Sequence, residues 1–203
     1  MHSIQALYDG KTFIPTRPVP IDEAYETIIT FFEPMKVTLL PYDEEWAKQF
    51  EAVKRELHEI LGDNVCEIHH VGSTAIKGIQ AKPILDVAVI VKDFHRLDVV
   101  GMYKNGYSFH GERTPGRYLL VKHGRWGNLT IQHIHCFEKS EETPPLILFC
   151  NYLNKHPQYA REYNDLKSEL TAAHPDDRWA YSSGKSAFVD KVLHLAGNEY
   201  RID

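Results

Sequence analysis

The chain has 203 residues, of which 43% are hydrophobic and 25% charged, enough for one domain of ordinary size with a real core and an appendage. Its 28 acidic residues outnumber its 23 basic ones and leave a formal net charge of -5, which argues against a broadly basic nucleic-acid-binding surface while leaving room for a small basic pocket. No apolar run reaches the ~18 residues of a membrane span, and the start MHSIQALYDG lacks the basic and apolar regions of a signal peptide. The sparse, odd set of Cys66, Cys136 and Cys150 fits reduced thiols in a cytoplasmic protein.

Residues 1–35 are expected to form a small β module. Ser3 to Tyr8 alternates loosely, Asp9-Gly10 marks a hairpin turn, and Lys11 to Ile14 reads as the return strand. Pro15, Pro18 and Pro20 stiffen the connection to a third β-prone run, Glu26 to Phe32. Three strands this short bury little surface alone, so they should pack on the main domain or pair with a second copy.

Residues 36–203 read as the main domain. Val37 to Leu40 suggests a short strand, and a helix begins near Asp43. Trp46, Phe50, Val53, Leu57, Ile60 and Leu61 recur at spacings of three and four and give that helix one buried face, with Gly62 as its stop. Asn64 to Val71 and Leu85 to Val91 read as strands, the second so apolar that both sheet faces should be covered. Tyr118 to His123 and Leu129 to Phe137 follow as strands joined by a turn at residues 124–127. Leu146 to Leu153, a segment from Pro157, and a segment from Pro175 to Gly197 read as three helices. The order implies an α+β domain with a helical C-terminal part.

Three features could carry chemistry. Gly72-Ser73-Thr74 is either an ordinary turn with a hydroxyl cap or a tight turn that lets backbone approach an anion. Asp86 sits inside the apolar run LDVAVIV, on the face it shares with Ala88 and Ile90; a carboxylate there reaches the strand's end, meets a cation or holds a metal, or else forms a buried structural pair. His133 and His135 share a strand face, and His70 lies on another strand, so imidazoles could converge on a transition metal or could simply be satisfied or solvated. Cys66 and Cys136 do not fall at zinc-motif spacings, and Lys82 could neutralise a phosphate beside the Gly-Ser turn.

Together, the Gly-Ser turn, a spacer of twelve and the aspartate inside an apolar strand resemble the nucleotidyltransferase superfamily signature. More closely, LLPYDEEW (39–46), HHVGSTAIKGIQAKPILDV (69–87), IQHIHCF (131–137), NYLNKHPQYAREYNDLKSEL (151–170) and PDDRWAYSSGKSAFV (175–189) resemble the GrpB family over about residues 37–195. The resemblance implies a nucleotidyltransferase-like mixed sheet flanked by helices. It also implies a nucleotide or phosphorylated metabolite as ligand, and transfer to a small acceptor if the site is active. Gly72 and Ser73 match the phosphate turn, and Asp86 matches the first metal carboxylate, with His133 and His135 in place of a third. Asp86 and His135 are the catalytic candidates; Lys82, Arg117, Lys122 and Lys185 fall at basic positions that could meet phosphates. The second carboxylate position is Ala88, which admits the alternative of a catalytically silent nucleotidyltransferase fold acting as a binding or interaction module. The expected cofactor is a divalent metal, Mg²⁺ or Mn²⁺ ahead of Zn²⁺; imidazole donors weaken the case for Mg²⁺. The first ~34 residues resemble small antitoxin-type β modules, which implies a homodimer or a protein partner through that segment and no chemistry there.

Overall fold

The computed structural model describes residues 6–8, 13–15, 37–124 and 129–199. The chain divides into two compact units, Met1–Glu33 and Pro34–Asp203. In the first, β1 (Ala6–Tyr8) pairs antiparallel with β2 (Phe13–Pro15), with Tyr8 opposite Phe13. This is the expected hairpin pairing; its turn and the third expected strand lie outside the described residues.

The second unit is built on a mixed sheet of five strands. Helix α1 (Glu45–Leu61) enters it through β3 (Val65–Val71), which runs antiparallel to β4 (Leu85–Val91). Helix α2 (Val99–Lys104) leads to β5 (Tyr107–Thr114), β6 (Arg117–His123) and β7 (Thr130–Glu138). The order across the sheet is β3-β4-β7-β6-β5, and only the β4–β7 pair is parallel. Helices α3 (Pro145–Lys155), α4 (Pro157–Ala173), α5 (Arg178–Ser183) and α6 (Ser186–Glu199) complete the unit.

Strand alternation sorts the core into two layers. Val87, Val89 and Val91 face α1 and pack with Phe50, Val53 and Leu57. Ala88 and Ile90 face the other way, with Ile147, Leu153, Tyr163 and Val192 from α3, α4 and α6. Since β4 is covered on both sides, its near-continuous apolar sequence follows.

Several expectations need correction. Residues 37–40 do not form a strand: Leu40 makes an isolated bridge with Ala81, and Val37 N–H bonds to Pro175 O. The expected third C-terminal helix is two helices, broken at Gly184-Lys185, and its second half runs through Gly197. Its start is set by Asp177, whose carboxylate accepts from the amides of Trp179 and Ala180. Helix α2 and strand β5 had no sequence signal. The helix is six residues with a glycine inside, and β5 is a largely exposed edge strand without apolar alternation. The expected turn at 124–127 falls mostly outside the described residues.

Candidate functional site

Asp86 is the second residue of β4, at the sheet end where β3 finishes. Parallel pairing sets Asp86 beside His133 and Ala88 beside His135, so the carboxylate and both imidazoles emerge from one face. His133 Nδ1 lies 2.9 Å from Asp86 Oδ1, and His135 Nε2 lies 3.5 Å from the same oxygen. The three side chains are 26%, 31% and 13% exposed for Asp86, His133 and His135, so the cluster is sheltered yet reachable. Burial works against the charged carboxylate, but hydrogen bonds and charge from His133 and His135 outweigh it and hold Asp86 below the usual carboxylate range.

The Gly72-Ser73 turn closes over this carboxylate. Gly72 has φ 72° and ψ -173°, a backbone region open in practice to glycine alone. A Cβ at Gly72 would lie 2.3 Å from Asp86 Oδ2. The glycine is therefore required twice, for its backbone angles and for the close approach of Asp86. Residues 73–75 form a 3₁₀ turn held from below by the helical layer. Asn154 of α3 donates to Ala75 O at 2.9 Å and accepts from Lys77 N–H at 3.1 Å. Asn164 of α4 accepts from Gln80 N–H at 2.8 Å, and buried Lys167 donates to Gln80 O. The Tyr163 phenol lies beside Ser73; burial pushes its pKa up to about 12, against a partly offsetting effect of the serine.

Cations crowd the open side. Lys82 and Lys185 both lie over the ring of Tyr181, at 4.1 and 4.4 Å from its centroid. Burial, then Lys185 and Arg178, lower Lys82 to about 8, while Asp86 opposes the shift. Burial also lowers Lys185, again against Asp86. Burial and Lys185 bring Lys167 down to about 7. Among the described residues neither Lys82, Lys185 nor Arg178 has a salt bridge.

The expected site residues thus divide. Gly72, Ser73, Lys82, Asp86, His133, His135 and Lys185 come together. Lys122 does not: it pairs with Gln132 across the strands and so faces α1, where Nζ meets Glu56 Oε1 at 2.6 Å and the Tyr107 ring at 4.5 Å. His70 also faces α1, stacked on Phe50 at 5.0 Å and bonded to Thr74 Oγ1, and burial lowers it to about 4. Arg117 shares the His135 face but pairs with Phe137, four residues and about 13 Å along β6 from the His133 row. Its Nε is buried there with no partner among the described residues. Tyr163, Lys167, Arg178 and Tyr181 were missed; Tyr163 lies with Tyr159, Leu166 and Leu170 in a helical stripe that reads as packing.

The lysines predict a pH effect. Lys167 folds with a pKa of about 7 against 10.5 for a free lysine, so the folded chain releases its proton earlier. The burial cost is fully present below about pH 7 and fades as pH rises toward 10.5, so stability climbs over that window. Lys82 acts in the same direction from about 8. Urea unfolding of wild type from pH 6 to pH 9 should show this rise, and Lys167→Met should flatten it. An unchanged slope in Lys167→Met would show that the amine is solvated.

Asp86, His133 and His135 each offer one ligand atom, all within 4.8 Å of one another. A carboxylate and two imidazoles fit a divalent transition metal with positions left for ligand oxygens. His135 Nδ1 is buried without a partner among the described residues, an unsatisfied polar atom of the kind that clusters at functional sites. Lys122→Met should leave any anion or metal binding here unchanged, within twofold by calorimetric titration, because its charge is spent on Glu56 on the other sheet face.

Comparison with known proteins agrees with the sequence resemblance. The GrpB protein family profile matches residues 36–195. The chain is 36% identical over 166 residues to the glutamate-rich protein GrpB of Alkalihalophilus pseudofirmus, covering 78% of this chain and 95% of that one. It is 34% identical over 167 residues to the UPF0157 protein YqkA of Bacillus subtilis, covering 80% of this chain, and spans about half (48%) of that protein's length. The crystal structure of conserved protein GrpB from Enterococcus faecalis superposes with a TM-score of 0.74 at 32% identity, over 80% of this chain and 99% of that one. With the mixed sheet, the glycine turn and the aspartate strand in place, this chain belongs to the GrpB family.

Proposed function

We propose that the protein binds a nucleotide or another phosphorylated metabolite together with a divalent metal, as a nucleotidyltransferase-like enzyme acting on a small acceptor. The observation that carries this reading is the Asp86–His133–His135 cluster directly under the Gly72-Ser73 turn and facing Lys82 and Lys185. Asp86, His133 and His135 would hold the ion, which when bound would neutralise phosphate charge. Lys82 and Lys185 bind phosphate oxygens and keep the chain of phosphates against the turn. Ser73 offers a hydroxyl at the same edge, and the Tyr163 phenol orients it. In transfer, an acceptor hydroxyl forms the bond to phosphorus and gives its proton to solvent, the bond from phosphorus to the bridging oxygen breaks with the electron pair leaving on that oxygen as pyrophosphate, and positioning and charge neutralisation supply most of the acceleration.

Charge balance favours a polyanion. The site holds one carboxylate against Lys82, Lys185 and, below about pH 7, Lys167; a bound metal raises the positive excess further. A ligand with several phosphate charges restores neutrality better than a monophosphate.

One observation favours a second reading, a silent binding module. Ala88, at the second carboxylate position, is fully buried against the helical layer, so the strand offers a single acidic ligand. Thermal-shift titration of nucleoside triphosphates and pyrophosphate with Mg²⁺, Mn²⁺ or Zn²⁺ tests binding. Release of pyrophosphate on addition of candidate acceptors then separates the enzyme from the module. Absence of any metal-dependent shift would overturn the enzyme reading and leave the silent binding or interaction module.

A further inference from the structure

A concavity of about 320 Å³, at the small end of the range for ligand pockets, shares Lys82 with the cation group around Asp86. Its walls are mainly apolar: Val37, Pro83, Ile84, Leu129 and Ile131. Two of these leave much of their surface in water, Leu129 at 52% exposed and Ile131 at 37%. Among the described residues, the charged side chains that line it are Lys82 and Arg178, both cations. The walls are fixed by backbone bonds: Leu40 and Ala81 exchange N–H···O bonds of 2.8 and 2.9 Å, and Val37 N–H reaches Pro175 O at 2.9 Å. These pin residues 37–40 to the Lys82 loop and to the segment leading into α5.

From this we infer that the cavity is a binding site for a small molecule with a mainly apolar body and a single anionic group, the anion held by Arg178 and Lys82. An apolar wall gains from being covered by an apolar body. The two cations have no carboxylate partner among the described residues, so an anionic group meets unspent charge. A neighbouring cavity of about 550 Å³ shares Pro83 and Ile131 but has no such attraction, since its charged lining group is Glu56, already paired with Lys122. Lys82 belongs to both the cavity and the cation group around Asp86. A molecule seated here therefore lies next to the phosphate site, which suits it for the acceptor; that role rests on the transfer reading, whereas binding itself does not.

Naphthalene sulfonate, an apolar body with one anionic group, is the probe, read by isothermal titration calorimetry on the full chain. Wild type should bind it at one site without added metal. Neutral naphthalene methanol and methanesulfonate should each bind at least about tenfold more weakly, because each lacks one half of the recognition. Arg178→Gln, an exposed substitution, should weaken naphthalene sulfonate by about tenfold or more. Ile84→Trp, which fills the cavity, should abolish it; if circular dichroism shows Ile84→Trp unfolded, exposed Thr38→Trp on the same wall replaces it. Asp86→Asn should keep the binding even if it loses every metal-dependent phosphate effect, so the cavity and the phosphate site fail separately. The inference is overturned if wild type shows no saturable binding, or if folded Arg178→Gln and the folded tryptophan variant bind as wild type does.

Discussion

Asp86→Asn is expected to abolish the metal-dependent thermal shift of the protein while leaving it folded. A ligand at about 100 times its Kd contributes about 2.7 kcal/mol, which for a domain of this size raises the midpoint by about 5–10 °C. In Asp86→Asn, the same nucleoside triphosphate with Mn²⁺ should raise it by about 1 °C or less. The reason is local. Asp86 is the one carboxylate in the cluster, both imidazoles converge on its Oδ1, and an amide in its place has no charge to offer a metal. Substitution is the right tool, because pH is not. With its pKa held below the usual range, the carboxylate contributes stability that is present above its unfolded value and is lost only as pH falls through the folded one, well into acid. The unliganded variant should itself lose about 1–3 kcal/mol, since charge-assisted hydrogen bonds are replaced by neutral ones and Lys82 and Lys185 lose their nearest anion. The diagnostic quantity is therefore the shift on adding ligand, not the midpoint alone. A full shift in Asp86→Asn would place the ligand elsewhere and remove the metal cluster from the function.

How much of this was legible depended on how local each signal was. The site strand was readable because Asp86 breaks an otherwise apolar run, and such a break needs a cause that local sequence supplies. His133 and His135 were readable as a pair on one face, since alternation in a strand is a rule of geometry. What alternation could not give was which neighbouring strand each face would meet. His70 and Lys122 looked equivalent to their neighbours in sequence, but the β3–β4 and β6–β7 registers turn both toward α1, where Phe50 and Glu56 absorb them. A shift of one residue in either register would have reversed the result. The helical contributions were harder still. Lys167 is one lysine in α4 with no local signal, and its role depends on Gln80, far away in the chain. Arg178 and Tyr181 belong to a short capped helix that the sequence merges with the next. Strand β5 carries polar, exposed residues and no alternation, so only its pairing with β6 defines it.

Gly72→Ala is expected to destabilise the fold by about 2–6 kcal/mol and to remove ligand binding with it. Two separate costs add. The backbone at φ 72° and ψ -173° lies in a region that residues with a Cβ enter at about 1–3 kcal/mol. The new methyl would also stand 2.3 Å from Asp86 Oδ2, 2.8 Å from its Cβ and 2.9 Å from its Cγ. Neither side can give way cheaply. Asp86 is on an interior strand, paired on one side with Val71 of β3 and on the other with His133 of β7, and the turn is anchored by Asn154. Overpacking of this kind costs about 1–3 kcal/mol more. Gly78 supplies the control: its φ of 76° is similar, but an added Cβ there would meet nothing within 4 Å. Gly78→Ala should therefore show backbone strain alone, and the excess in Gly72→Ala measures how closely Asp86 sits beneath the turn. Combining Gly72→Ala with Asp86→Ala should recover part of that excess, since two of the three close atoms are gone. Equal losses in the two glycine variants, by urea unfolding, would mean that the carboxylate does not lie against the turn, and the geometry on which the phosphate and metal reading depends would be wrong at its centre.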